Sequence, residues 1–220
     1  VALLVTLLGY AGHKRHTERT VEREFVAEAE AAVRRFAAAV DQCDAVLAAM
    51  ADHLRVSGGE IEPERFAHAM RAQMRGRPAI AYIGFGAGNG DYHGVYTRDA
   101  SNAEDVIFTR RLLRDDGRTH LREYRISVQG LEPFREDPAY PYDPRLRPWY
   151  LAAVDHGAAI ASDPYPWFDT GLIGVTFAEP FRLDGALRGV VEVDVNLNTL
   201  SHIVEHLATG PDARTFAITA

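Results

Sequence analysis

The order of this sequence predicts an α+β fold, with helices laid over an antiparallel β-sheet. Three observations carry that expectation. A helical period runs without a break from Thr17 to Val56, a shorter one follows Glu62-Pro63, and after Arg77-Pro78 come short apolar runs separated by glycine turns. Strands joined by tight turns pair antiparallel, and amphipathic helices bury their apolar stripes on such a sheet.

Taken in order, the elements begin with VALLVTLLGYAG, Val1 to Gly12. This run falls short of the roughly 20 apolar residues that cross a bilayer. It also lacks the charged start and cleavage site of a signal peptide. It reads as the tail of a transmembrane helix or as a buried strand or helix, and the abrupt change to HKRHTERTVERE favours the tail. Residues 1–16 are therefore expected to be the end of a membrane helix with its juxtamembrane segment.

Over 17–57 the apolar residues Phe25, Ala29, Ala32, Phe36, Val40, Cys43, Leu47, Met50 and Leu54 recur at threes and fours. Gly58 and Gly59 stop the helix. At ~1.5 Å per residue it would be ~60 Å long, so its seam is expected to pack on a domain along one part and on a twin helix along the rest. Cys43, on that seam, reads as a small buried hydrophobe.

The second helix carries Phe66, Met70 and Met74 on one face. AIAYIGFGA and YHGVYTRD form a hairpin across Gly88-Asn89-Gly90-Asp91, and EDVIFTRRLLRD and THLREYRIS another across Asp115-Asp116-Gly117. A loop rich in Pro, Glu and Asp is expected before YDPRLRPWY, residues 142–150, and a short helix, LAAVDHG, after it. AIASDPYPWF, LIGVTFAEPF and LRGVVEVDVN read as three strands with turns at Asp169-Thr170-Gly171 and Asp184-Gly185. A last helix, LNTLSHIVEHLA, ends at Gly210-Pro211, and ARTFAITA (213–220) reads as the first strand of a further unit.

Composition bounds the chemistry. With 47% apolar and 25% charged residues over 220 positions the chain is an ordinary globular sequence. A net charge of −7 argues against a nucleic-acid partner, which would need a clustered basic surface. The sequence has no phosphate-cradling glycine loop, no G-x-S-x-G elbow, no H-E-x-x-H and no C-x-x-C. His13 and His16 have no third ligand in view. His202 and His206, with Glu205 between them, are explained by an exposed helix face without a metal. No catalytic constellation, metal or cofactor is predicted.

YDPRLRPWY differs in kind. Its two prolines stiffen the backbone and hold Arg145 and Arg147 among Tyr142, Trp149 and Tyr150. A guanidinium pairs bidentately with carboxylates or phosphates and stacks on aromatic rings. Each arginine must be exposed, be paired with a carboxylate of the protein such as Asp143, or wait for an anionic ligand.

The ordered set Y-D-P-R-x-R-P-W-Y-x-x-A (Tyr142 to Ala153), D-P-Y (Asp163 to Tyr165) and G-V-V-E-V-D-V (Gly189 to Val195) resembles the double Cache domain. That family is the extracytoplasmic sensor of bacterial chemoreceptors, histidine kinases and nucleotide cyclases. The resemblance covers nearly all of the chain after Thr17, and the segment around LSHIVEHL is similar to cyclase-linked members. It implies a stalk helix over 17–57, a PAS-like membrane-distal module over 58–210 and the first strand of a membrane-proximal module over 211–220. By position, the resemblance places Arg147, Trp149 and Tyr142 at a ligand carboxylate and Asp194 at an ammonium, with Tyr165 and Tyr150 completing the wall. Arg145, beside Asp143, becomes the structural arginine.

The function expected is a ligand-binding sensor without catalysis of its own. It would recognise an amino acid or other small carboxylate or amine, be anchored in a bacterial inner membrane with the sensor on the periplasmic side, and pair through the stalk as a homodimer. A cyclase or kinase could follow as output. The alternative is a dimerising structural module with no small-molecule ligand, which predicts side chains filling the space between 142–150 and Asp194 and both arginines paired internally with acids such as Asp143.

Overall fold

The computed structural model describes residues 2–98, 102 and 104–196, with side chains of the first helix described from Val33 onward and at a few earlier positions. The predicted last helix, the strand ARTFAITA, and His202, Glu205 and His206 lie outside the described residues.

The first helix, α1 (Ala2–Val56), is continuous across the sequence change at residue 16. Two compact units divide the chain: one holds α1 up to Ala39, and the other runs from Val40 through the sheet. In the second unit the seam is as expected, with Cys43, Val46, Leu47, Met50 and Leu54 all buried. In the first unit Val26, Val33 and Phe36 are exposed, while the side chains of Phe25 and Ala32 lie outside the described residues. Gly58 and Gly59, both at positive φ, end the helix, the Gly59 amide donating to the Leu54 carbonyl at 2.7 Å. Burial and the neighbouring Asp44 push the Cys43 thiol up to about 12, so it stays protonated and unreactive. Among the described residues no helix is long and apolar enough to cross a membrane.

Helix α2 (Pro63–Met74) begins on Glu62, whose carboxylate accepts from the amides of Glu64 and Arg65. It buries Phe66, Ala67, Met70 and Met74. Two hairpins follow as predicted: β1 (Ile80–Ala87) with β2 (Tyr92–Thr97), then β3 (Val106–Leu113) with β4 (Thr119–Ser127).

The expected loop before residue 142 is instead an 11-residue strand, β5 (Gly130–Tyr140). Among the described residues it pairs only with β4, at the sheet edge, where an unpaired backbone flank tolerates prolines such as Pro133 and Pro138. AIASDPYPWF is not one strand either. It forms two short pieces, β6 (Ile160–Ala161) and β7 (Tyr165–Pro166), both against β8 (Ile173–Leu183). Between them the Ser162 hydroxyl takes the Thr176 amide, which removes that ladder bond. β8 and β9 (Ala186–Asn196) meet through Asp184 and Gly185, both at positive φ, as a two-residue hairpin turn requires.

Among the described residues these strands form one antiparallel sheet in the order β5-β4-β3-β2-β1-β9-β8-β6, with β7 also on β8. Alternation gives the sheet two faces. One carries Ile83, Phe85, Val95, Phe108, Val191 and Val193 and packs with α2, where Phe66 meets Phe108 and His93. The other is the face of the candidate site.

His93 sits on the helix side, 7% exposed and stacked on Phe108, and burial together with Arg110 lowers its pKa to about 4. A histidine depressed in the fold favours folding above its unfolded value of about 6.5 and loses that contribution as pH falls towards 4. Stability is therefore expected to drop by about 2 kcal/mol between pH 7 and pH 5. Urea midpoints should show this fall in the parent chain and a flatter profile in His93→Phe.

Candidate functional site

The corner that opens the site is built from its own sequence. Asp143 caps a single 3₁₀ turn (Pro144–Leu146), accepting from the Arg145 amide at 2.9 Å. The same carboxylate takes the Arg145 side chain through Nε at 3.0 Å and Nη2 at 2.7 Å. The Arg145 contact holds the Asp143 carboxyl below the usual carboxylate range. Arg145 is thus the structural arginine, as the sequence suggested. Helix α3 (Pro148–His156) starts immediately after, with Pro148 at its first position. It buries Trp149, Tyr150 and Ala153 against Ala178 and Val190.

Three rungs cross the sheet beneath this corner. One runs Thr109, Gly94, Gly84, Glu192, Ala178; a second runs Ile107, Tyr96, Tyr82, Asp194, Thr176; a third runs Arg111, Tyr92, Gly86, Val190, Pro180. Glycines open the hollow. A Cβ on Gly84 would lie 2.0 Å from the Tyr92 hydroxyl oxygen, and one on Gly94 would lie 2.9 Å from it. A Cβ on Gly86 would strike Pro144 and Trp149 at 2.8 and 2.9 Å. The missing side chains let Tyr92 lie along the sheet and let the 142–150 corner close over it.

The result is a cavity of about 500 Å³ between the corner and Asp194, a usual size for a small-molecule site. Tyr142, Arg147, Trp149, Tyr165 and Asp194 all line it. Tyr150 is buried edge-on against Trp149 and is not a lining residue; it fixes the indole from behind. The filled space that the structural-module alternative predicted is not found.

Charge is arranged in two groups. Arg147 lies with its guanidinium 5.3 Å from the Phe168 ring centroid, and no hydrogen bond or ion pair engages it among the described residues. Asp194, 8% exposed, accepts from Thr176 Oγ1 at 2.5 Å, and the Tyr165 hydroxyl is 2.7 Å from that same oxygen. Glu192 is also buried and accepts from the Tyr92 hydroxyl at 2.5 Å. Burial raises both carboxyls, Asp194 further because Glu192 is beside it.

Arg111 and Glu192 were missed in the sequence. Arg111 is 2% exposed, with its guanidinium 4.1 Å from the Tyr142 ring, 4.8 Å from Tyr92 and 5.4 Å from Tyr140. It donates to the Tyr82 hydroxyl at 3.0 Å and to Asp169 at 2.5 Å. Tyr140 hydrogen-bonds the other oxygen of Asp169, and Phe168 packs edge-on to Tyr140 and Tyr142. The Asp169 turn is thereby tied across the pocket to β3. Strand alternation held both signals: Arg111 follows Ile107 and Thr109 on one face, and Glu192 precedes Asp194 by two.

Comparison with known proteins gives a consistent picture. The family model for methyl-accepting chemotaxis protein-like first PDC sensor domains matches residues 90–202, just over half of the chain. Methyl-accepting chemotaxis protein McpA of Pseudomonas putida is similar at 39% identity over 97 residues, 42% of this chain and 15% of the relative. Adenylate cyclase 1 of Rhizobium meliloti is similar at 32% over 117 residues, 52% and 17% of the two. The chain thus spans less than a fifth of the length of these curated relatives. The ligand-binding domain of Campylobacter jejuni chemoreceptor Tlp3, solved with 4-methylisoleucine, shares the fold at TM-score 0.54 and 15% identity, over 88% of this chain and 64% of that one.

Proposed function

This chain belongs to the family of methyl-accepting chemotaxis protein-like first PDC sensor domains, and from that premise we propose that its cavity receives a free amino acid. The observation that carries the reading is a cavity with an unengaged Arg147 on one wall and a buried carboxyl pair on another. A zwitterion is complementary to such a dipolar site. Arg147, Trp149 and Tyr142 would take the carboxylate. Asp194, steadied by Thr176 and Tyr165, would take the ammonium, and Tyr150 would hold the indole in place. The 4-methylisoleucine bound by the Tlp3 domain is a ligand of this class.

In this reading the chain binds and signals, and catalysis belongs to an output domain of receptor or cyclase type. Residues 1–16 would anchor it in a bacterial inner membrane, 17–57 would form the stalk, 58–210 the periplasmic membrane-distal module and 211–220 the start of a proximal one. The exposed Val26, Val33 and Phe36 on α1 suit a homodimer through the stalk. A monomer at all concentrations in sedimentation would remove that part. Binding itself is tested by a thermal-shift screen of the standard L-amino acids. A ligand at about 100 times its Kd should stabilise the fold by ~2.7 kcal/mol, and a panel with no shift would refute the reading.

A further inference from the structure

Glu192 is a buried acid with no structural need that its neighbours explain. It stands on β9 opposite Gly84 and Ala178, two positions with little or no side chain, so its carboxylate faces the hollow. Tyr92 satisfies Oε1, but Oε2 is buried with no donor. An unsatisfied buried carboxylate oxygen is costly unless something completes it. Two residues further on, and therefore on the same face, lies Asp194. Both side chains line the same cavity, and burial and the charge of Glu192 raise the Asp194 carboxyl. Like charges this close cannot both ionise freely, so the pair retains a proton.

We propose that Glu192 is a second ligand-binding acid of this pocket, and that a ligand's primary ammonium group displaces the proton it shares with Asp194. The inference rests on the amino-acid reading of the site and adds to it a residue and a linkage. The exchange balances: the ammonium enters with its three N–H donors and its positive charge, the shared proton leaves to solvent, and the charge at the carboxyl pair is unchanged, while the ligand's carboxylate brings its own negative charge to Arg147. Three donors suit two carboxylates better than one.

The groups facing the pair are Tyr82 on β1, Tyr92 on β2, Arg111 on β3, Tyr142 before the corner, Tyr165 on β7 and Asp169 in the turn before β8. Burial raises all four tyrosines, so they remain neutral. Arg111 stays cationic and is matched by Asp169. Burial raises both carboxyls of the pair, which makes them the groups here that hold a displaceable proton. Affinity should rise about tenfold per pH unit wherever the pair holds one proton.

The test has two arms on the same protein. In the ligand-free chain at pH 7, infrared difference spectra against the double variant E192Q/D194N should show the carbonyl stretch of a protonated carboxyl; its absence would overturn the proposal. Calorimetry of the standard L-amino acids in two buffers of different ionisation enthalpy should show about one proton released per ligand bound. Glu192→Gln should still fold, release almost none, and lose the pH slope. Binding without proton release overturns this inference alone, whereas a panel in which nothing binds overturns the functional reading beneath it.

Discussion

Arg147→Ala is expected to weaken amino-acid binding by roughly 30-fold or more while leaving the fold intact. Arg147 carries no internal ion pair, so its removal orphans no protein group. On the proposed pose, its loss would instead leave the ligand's carboxylate unpaired within the cavity. Truncating one side of a desolvated charge pair costs about 2–5 kcal/mol, which at 1.4 kcal/mol per tenfold weakens Kd by roughly 30-fold to more than 1,000-fold. Arg145→Ala makes the contrast. It breaks the Asp143 corner and should cost stability first, with binding weakened through the displaced Trp149. Calorimetry with urea unfolding on both variants separates the two roles. Full affinity in Arg147→Ala would remove it from the site.

Gly189→Ala should be the most damaging small substitution in the sheet. A Cβ at this position would lie 2.2 Å from the backbone oxygen of Gly86 and 2.7 Å from the Phe85 ring. A backbone oxygen cannot rotate aside, so β1 and β9 must separate. Overpacking costs run at about 1–3 kcal/mol and exceed that where the backbone must move. A loss above about 3 kcal/mol is expected, read as a shift of the urea midpoint. Gly117→Ala is the comparison: no atom lies within 4 Å of its Cβ, and only the positive φ is strained, which costs about 1–2 kcal/mol. Because Glu192 and Asp194 follow Gly189 on the same strand, ligand affinity should fall with stability in the first variant and not in the second.

Where information was local, the sequence was enough. Glu62-Pro63, the glycine turns at 88–91, 115–117 and 184–185, and the Asp143-Arg145 corner each act within a few residues, and each stands where the pattern put it. The pocket-lining residues Tyr142, Arg147, Trp149, Tyr165 and Asp194 came from the resemblance to the double Cache family, and Tyr150, named with them, stands behind the wall. What escaped depends on distant partners. β5 is a strand only because β4 lies beside it; its own residues resemble a loop. Arg111 is buried only because rings from positions 92, 140 and 142 converge on it with Asp169. Taken alone, it is one of two adjacent arginines in a strand, and nothing local says which of them turns inward.

The edge strand carries a last consequence. β5 exposes one backbone flank over 11 residues, long enough to template another chain, and Pro133, Pro138, Glu132, Arg135, Glu136 and Asp137 are spread along it. Prolines withhold ladder donors, and mixed charges must be desolvated before a foreign strand can dock. The opposite margin offers only the two-residue pieces β6 and β7. Among the described residues, both margins of the sheet carry features that disfavour pairing with a further strand. Replacing both prolines by threonine is expected to raise the tendency of this border to pair with a second copy, which light scattering on the variant and the parent would read.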